Sequence, residues 1–366
     1  MTSKVYVLIV NWNNWPDTLE CLESVFRSGY PRFQVILCDN GSTDGSLHHV
    51  KAWAEGRLDA PAATASPLRG RSSASLPRPI RYLERDKQIA ETGGGADDGE
   101  CPLILIQTGQ NAGFGAGNNV GLRYALARDD AQFVWLLNND TVVAPDALTE
   151  LVATLEADAD AGQCGSTILF YDRPEIVQLC GGCEYNSWWG SIRALGAGRL
   201  LSDLPEADRV RRKMTYVGGA SLLARMSFVK QVGLLAEDYF LYFEEIDWAT
   251  RGKGQYGLAY APRSRVYHKE GKTAGSSSQP MSRATPADLF LIRSRIVYTR
   301  KFKLWAIPTV CLAVAGMLLN RLRRGQWERV IPMARVAARS LVEELAAPGR
   351  PLPARQFSDL GLPTSR

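Results

Sequence analysis

The sequence predicts an α/β fold, a mostly parallel sheet with helices on both faces, and three observations carry that prediction. Short continuous apolar runs such as VYVLIV, VILC and LILI read as strands buried on both faces. Segments with helical apolar spacing separate these runs, as βα units require. The strands also end in polar residues, at Asn11, Asp39, Asn111 and Asn138 to Asp140, on the carboxyl edge where such sheets gather ligands.

Taken in order, VYVLIV is the first strand, rather than an export signal, because it is short and stops at polar Asn11. Pro16 suits the first turn of a helix whose Leu19, Leu22, Val25 and Phe26 share one face. FQVILC is the second strand, and NGSTDG supplies turn chemistry after it. Residues 55–100 break the rhythm with RGRSSASLPRP and ETGGGADDG, which read as an inserted, mobile surface loop or a lid. The alternation resumes with the strand PLILIQ, the turn NAGFGAGNN, the helix VGLRYALAR, the strand FVWLL and a helix opened by Pro145 and Asp146. Beyond Gly165 the pieces STILFY, GGCEYNSWWG and TYVGGASLLA are less regular, fitting a surface that receives a second substrate or a sheet edge with loops.

With 366 residues, 45% apolar and 22% charged, the chain holds one large domain and an extension. Its net charge of +5 is uneven: 285–340 carries eleven Lys and Arg against Asp288 and Glu328, a local +9 that leaves −4 elsewhere. That excess points one segment toward an anionic partner. Seven cysteines, an odd number, read as reduced thiols; Cys180 and Cys183 form a CxxC without the second pair a structural zinc needs. The longest apolar run, Trp305 to Leu319, is 15 residues, short of the ~20 a spanning helix takes.

Asp140 sits just past a strand, where one carboxylate suffices for Mg2+ or Mn2+ bound to a diphosphate; a turn or cap is the plainer use of Asn138 and Asp140. Glu244, Glu245 and Asp247 open a helix, where the dipole favours acids, but the aromatic YFLYF before them would wall a general base with apolar surface. His268 ends another short strand. NAGFGAGNN is not GxGxxG, and no GxxxxGK[ST] occurs, so dinucleotide and P-loop fingerprints are absent.

In order and spacing, VLIVNWNN, VILCDNGSTDGS, NAGFGAGNNVGLRYAL, WLLNNDTVV, VGGASLLARMSF, DYFLYFEEIDWATR and VYHKEG resemble glycosyltransferase family 2, the inverting nucleotide-sugar transferases of GT-A fold, especially its bacterial rhamnosyltransferase-like branch. The resemblance implies a GT-A domain over 1–284, interrupted by the 55–100 insertion. It implies nucleotide contacts from Val10, Asn11, Trp12, Asp39, Asn111, Gly113, Asn118, Asn138 and Asn139. It places a metal on Asp140 with His268, the base on Glu245, and orienting or loop-holding roles on Glu244 and Asp247. Asn138 departs from the family's first metal-binding acid.

Outside the resemblance, 285–345 mixes Arg and Lys with Trp, Leu, Ile and Val at helical spacing, as in a helix lying on an anionic membrane or in a packed basic pair. Residues 346–366 read as a disordered tail. The expected function is sugar transfer, of rhamnose or another hexose, to a glycan or lipid-linked acceptor in cell-surface polysaccharide synthesis, at the cytoplasmic face of the membrane. Two rivals are a sugar-nucleotide pyrophosphorylase, which should carry a basic Gly-rich loop where NWNNWP stands, and a non-catalytic glycan-binding protein on the membrane. Nucleic acid is not an expected partner, since no binding motif accompanies the charge.

Overall fold

The computed structural model describes residues 2–60, 76–269 and 286–346. The first half alternates as its apolar runs require: β1 (Val5–Asn11), α1 (Trp15–Val25), β2 (Phe33–Asp39), α2 (Ser46–Ala54), β3 (Tyr82–Asp86), α3 (Lys87–Glu91), β4 (Leu103–Gln107), α4 (Phe114–Arg128), β5 (Phe133–Asn138), β6 (Thr141–Val143) and α5 (Ala147–Ala157). Pro16 falls in the first turn of α1, where its missing N–H costs nothing. The second half runs β7 (Ala161–Phe170), β8 (Val177–Cys180), β9 (Gly182–Asn186), β10 (Ser191–Ala194), α6 (Ala207–Lys213), β11 (Tyr216–Val217), β12 (Ser221–Arg225), α7 (Met226–Val232), α8 (Glu244–Gly252) and β13 (Gly257–His268). Three helices follow: α9 (Pro286–Phe302), α10 (Ile307–Arg323) and α11 (Trp327–Ala346).

The main sheet has the order β3-β4-β2-β1-β5-β12-β7-β13-β6, with β8 paired to β7. From β3 to β5 every pairing is parallel, and β12 enters antiparallel between β5 and β7. One apolar cluster, around Trp53 and Trp135, fills one face; another, around Tyr124, Phe228 and Trp248, fills the other. Register then fixes where chemistry can occur. Asn11 lies level with Asp39, Asp39 with Gln107, and Val10 with Asn138, so the polar strand ends form one edge. At the far side, β13 pairs antiparallel with β6 so that His268 lies opposite Thr141, one residue past Asp140. A second sheet of three strands, β10-β9-β11, stands over this edge.

The insertion differs from the expected mobile loop. Residues 61–75 lie outside the described residues, but β3 extends the sheet parallel to β4, and α3 packs on α4. Fully buried Asp98 anchors the segment: Arg85 Nη2 donates to its Oδ1 at 2.6 Å, Gly95 N at 2.9 Å, and Tyr124 OH to Oδ2 at 3.3 Å. A polar, Gly-rich sequence could order here because its hydrogen bonds, not an apolar stripe, tie it down.

The C-terminal helices are joined to the domain by a third cluster that includes Phe240, Phe290, Ile296, Val314 and Met333. Phe290 stacks on Phe240, with ring centroids 4.7 Å apart, and Ser294 Oγ donates to Leu241 O at 3.0 Å. The helical stretch Leu304–Arg323, 20 residues that contain an 18-residue window of mean hydropathy 1.5, is long and apolar enough to cross a membrane by length and composition. That corrects the shorter reach read from the uninterrupted apolar run, because the helix continues through Asn320 to Arg323. All seven cysteines are free thiols, Cys180 and Cys183 among them.

Removing the insertion's buried anchor should be costly. Asp98→Ala leaves Arg85 and the Gly95 N–H without their acceptor, and urea unfolding should show a loss of about 3 kcal/mol. A loss under ~0.5 kcal/mol, the size of an ordinary surface change, would return 76–100 to the status of a passive loop.

Candidate functional site

Over the carboxyl edge lies a cavity of about 500 Å³. Its floor is made by β-strand ends, including Val10 and Asn138 to Asp140, and by Asn111 and Gly113 at the start of α4. Its opposite wall comes from the small sheet, the Phe240 to Ile246 segment and α9. Gly113 has φ +96°, and a Cβ there would lie 2.3 Å from Phe240 O, so only glycine lets these two walls approach.

Not every expected contact faces this space. Val10, Trp12, Asn111, Gly113, Asn138, Asn139, Asp140, Glu244, Glu245 and His268 line it. Asn11, Asp39 and Asn118 are not among its lining residues: they are buried beneath it and held by hydrogen bonds. Asn11 Nδ2 donates to Asp39 Oδ1 at 2.8 Å, while Ser42 N and Oγ also donate to Asp39, at 3.0 and 2.6 Å. Asn118 Nδ2 donates to Phe114 O at 3.0 Å, within its own helix. Asn139 Nδ2 donates to Thr18 Oγ1 at 2.9 Å, so its amide nitrogen braces α1. Asn11, Asp39 and Asn118 thus support the floor from beneath, while Asn139 both braces α1 and lines the cavity.

Asp140 and His268 come together because β6 and β13 pair. His268 Nε2 stands 3.2 Å from Asp140 Oδ1, and Lys269 N donates to Asp140 O at 3.1 Å. On the other side of the ring, His268 Nδ1 is 2.8 Å from Gln178 Oε1. An amide oxygen there accepts a hydrogen bond from Nδ1–H, which favours the tautomer whose Nε2 lone pair is directed at the Asp140 side, the one a metal ligand needs. Lys269 Nζ donates to Asp17 Oδ1 at 2.6 Å and also bonds Glu20, pinning the strand end to α1. Asn138 Oδ1 is buried and has no hydrogen-bond partner among the described residues. Such an orphan acceptor beside Asp140 suits a cation or a donor group of a ligand.

A divalent cation therefore has one carboxylate, one imidazole and one amide oxygen within a four-residue strand end and its neighbour. Among the described residues no group of three or more His, Cys, Asp and Glu side chains is placed to hold a metal. The set fits an oxygen-seeking ion only where a diphosphate completes its shell, which is how Mg2+ and Mn2+ are commonly held at phosphate sites.

Glu244 and Glu245 reach the cavity through a strained turn. Tyr242 and Phe243 both take positive φ, +67° and +76°, a conformation costly for bulky aromatic residues. Phe243 is the N-cap residue of α8, so the strain sets the direction in which the first carboxylates leave the helix. Glu244 is almost fully buried, its Oε2 has no hydrogen-bond partner among the described residues, and burial and then the neighbouring Glu245 hold its carboxyl well above the ordinary range. Burial raises the Glu245 carboxyl to about 7.

Asp247 is not in the cavity, which corrects its expected place among the catalytic acids. It is fully buried, and its oxygens accept from Arg251 Nε at 2.6 Å, Lys301 Nζ at 2.8 Å and Tyr239 OH at 3.2 Å. Of the two roles open to it, holding the loop is the one its contacts serve. Sequence reasoning also missed Gln178, Tyr216 and the aromatic and aliphatic lining from Ile192 to Leu291. Gln178 left no signal, being a lone polar residue in a short strand. Gly218 and Gly219 did leave one, in VGGA, because the Glu245 carboxyl lies directly over Gly219.

A methyl group on Gly219 would sit 1.8 Å from Glu245 Oε1. Gly219→Ala should therefore fold while displacing that carboxylate, lowering kcat by about 100-fold, the cost of misplacing a reacting group by an ångström, with nucleotide affinity retained. Parent kcat in this variant would show that Glu245 does not need its place over Gly219.

The comparisons with known proteins agree with this geometry. The model of the family described as "Glycosyl transferase family 2" matches residues 6–62 and 86–191, which bracket part of the insertion. The low-salt glycan biosynthesis hexosyltransferase Agl10 of Haloferax volcanii is 27% identical over 152 residues, 41% of this chain and 46% of that protein, so this chain matches about half of its length. An N-acetylglucosaminyl-diphospho-decaprenol L-rhamnosyltransferase of Mycobacterium tuberculosis is 23% identical over 292 residues, 75% of this chain and 79% of that one. Among solved structures, GalNAc-T7 with UDP, GalNAc and Mn2+ superposes with a TM-score of 0.52 at 14% identity, covering 96% of this chain and 59% of that one. Such a likeness speaks for the fold, GT-A. The family model, the motifs it matches and the sheet that carries them agree in likening this chain to glycosyltransferase family 2.

Proposed function

We propose that the protein is an inverting glycosyltransferase that moves a hexose, rhamnose or a relative of it, from a nucleoside-diphosphate donor to a saccharide carried on a lipid, in cell-surface polysaccharide synthesis at the cytoplasmic face of the membrane. One observation carries this reading: the Asp140–His268 pair and the Glu245 carboxyl line the same cavity. The relatives' names, a hexosyltransferase and a rhamnosyltransferase acting on a diphospho-decaprenol saccharide, support the donor and acceptor classes. The structural neighbour's UDP and Mn2+ are in keeping with both ligand types.

In the mechanism this geometry supports, the nucleoside lies over Val10, Trp12 and Asn111, and the diphosphate lies toward Asp140. Asp140, His268 and the Asn138 amide oxygen would hold Mg2+ or Mn2+, which when bound supplies charge neutralisation for the leaving diphosphate. Glu245 takes the proton from an acceptor hydroxyl as that oxygen bonds to the anomeric carbon and the bond from carbon to diphosphate oxygen breaks. One displacement inverts the carbon. The apolar wall that raises the Glu245 carboxyl to about 7 makes it a better base than an ordinary glutamate at neutral pH. Burial and then the neighbouring Glu245 hold the Glu244 carboxyl well above the ordinary range, which favours its neutral form and so limits repulsion of an ionised Glu245.

The base must be ionised to act, so kcat/KM should rise with pH and level off above about 7. Glu245→Gln should lose this limb and lower kcat by about 10²- to 10⁴-fold, while nucleoside diphosphate still raises the melting temperature. A variant that transfers sugar at the parent rate would remove Glu245 from the base role.

Asp140→Asn tests the other pole. Thermal shift with UDP, GDP or dTDP should show stabilisation that needs Mn2+ in the parent and is lost in the variant. Stabilisation indifferent to both metal and substitution would place the diphosphate elsewhere.

A further inference from the structure

Helix α10 is apolar on two sides. Its inner face packs Ala306 (the residue before it), Val310 and Val314 against the domain, all nearly inaccessible. Its outer face presents Trp305, Leu312 and Leu319, and Leu312 is 65% exposed. The turn between β9 and β10 adds Trp188 and Trp189, which are 61% and 51% exposed. The two elements are fastened together: Trp188 meets Trp305 edge-on with centroids 4.4 Å apart, and Thr309 Oγ1 donates to Trp188 O. Three tryptophans held open to solvent are a large exposed aromatic surface for a folded domain.

Composition says what covers it. The tryptophans gather at the amino end of α10, and exposed Arg323 and Arg324 stand at its carboxyl end, so an apolar face is flanked by indoles and cations. Indoles settle at the headgroup level of a bilayer, and arginines reach anionic phosphates there. A protein partner would meet these cations too, but it would need its own apolar patch matched to a helix and a turn at once, whereas a bilayer needs only apolar depth and negative charge. The helix lies along this surface rather than through it, because its inner face is committed to Val310 and Val314 packing. Within the basic span 285–340, Arg293 is buried and Lys301 is paired with Asp247 and Asp238, so the exposed Arg323 and Arg324 carry the charge complementarity.

We infer that the outer face of Leu304–Arg323 and the Trp188–Trp189 turn form one docking surface for an anionic bilayer leaflet, set so that the acceptor side of the cavity opens at headgroup level. Strand β10 makes the connection: it leaves the Trp188–Trp189 turn and carries Ile192, which is 37% exposed on one side and lines the cavity on the other. Leu291 and Phe290 continue that apolar lining from α9. The consequence for the acceptor rests on the transferase reading given above; the docking surface itself does not.

Full-length protein tested with phosphatidylcholine vesicles, with and without phosphatidylglycerol, separates the two. The parent should sediment with the anionic vesicles only, and brominated acyl chains should quench its tryptophan emission. Trp189→Glu with Leu312→Glu, both at exposed positions outside the cavity, should lower partitioning by about tenfold or more, with an unchanged melting temperature and an unchanged shift on adding nucleoside diphosphate and Mn2+. Arg323→Glu with Arg324→Glu should lower partitioning and weaken its dependence on phosphatidylglycerol. Unchanged sedimentation of the tryptophan and leucine variant overturns the inference. So does a parent that ignores vesicles and forms a dimer that the same variant dissociates, which would make the face a contact between copies. Vesicle binding as described, with no response to any nucleoside diphosphate, would leave the docking surface standing and the transferase reading refuted.

Discussion

A buried carboxylate with two cationic partners fixes the working end of this molecule. Asp247 accepts from Arg251 on its own helix, from Lys301 on α9 and from the Tyr239 hydroxyl on the loop before α8. Placing one charge at zero exposure is costly unless the geometry repays it, and here each oxygen has at least one close donor. Arg251 extends the hold by donating to Val232 O and Leu234 O, both at 2.6 Å. Three separate stretches of chain are thereby locked around the left-handed pair Tyr242 and Phe243. That turn could not stay in its unfavourable conformation on local preference alone, and the two glutamates it aims would lose their place with it.

Environment then divides labour among the acids. Asp140 stands among polar neighbours at a strand end, with an imidazole 3.2 Å away and, two residues earlier, an amide oxygen unpartnered among the described residues. Glu245 stands against Phe243, Tyr216 and the rest of an apolar wall, which raises its carboxyl to about 7. Under the proposed transferase reading, the same functional group would serve cation binding at one end of the cavity and proton abstraction at the other, by what surrounds it. The long-range pairing of β6 with β13 creates the first environment, and the packing of α9 against the Phe240 loop creates the second.

Much of this was legible in the sequence for a plain reason. Parallel strands buried on both faces leave continuous apolar runs, and their polar ends mark the edge where ligands lie; β1, β2, β4 and β5 are all of this kind. Asp140 could be singled out because it follows such a run, and the acids at 244, 245 and 247 because they open a helix; choosing Glu245 among them, and His268 as a ligand, rested on the family resemblance. Pairing that crosses the chain was not legible. Nothing local tells that His268 faces Thr141, that Gln178 orients the imidazole or that α9 closes the acceptor wall. The edge strand Tyr82–Asp86 was hidden too, since an edge strand with charged residues lacks the apolar run of a central one.

Helix geometry alone could have removed one error. Successive residues on an α-helix are about 100° apart, so positions two apart project some 200° apart, on opposite faces. If Glu245 enters the cavity, Asp247 must leave it, and its burial then demands cations, which Arg251 and Lys301 provide. Glu244, about 100° from Glu245, can share the cavity wall, where burial holds its carboxyl well above the ordinary range. Three acids in four residues are therefore split by the turn of the helix, two toward the cavity and Asp247 into a buried clamp, and the proposed base is one of the two that face the cavity.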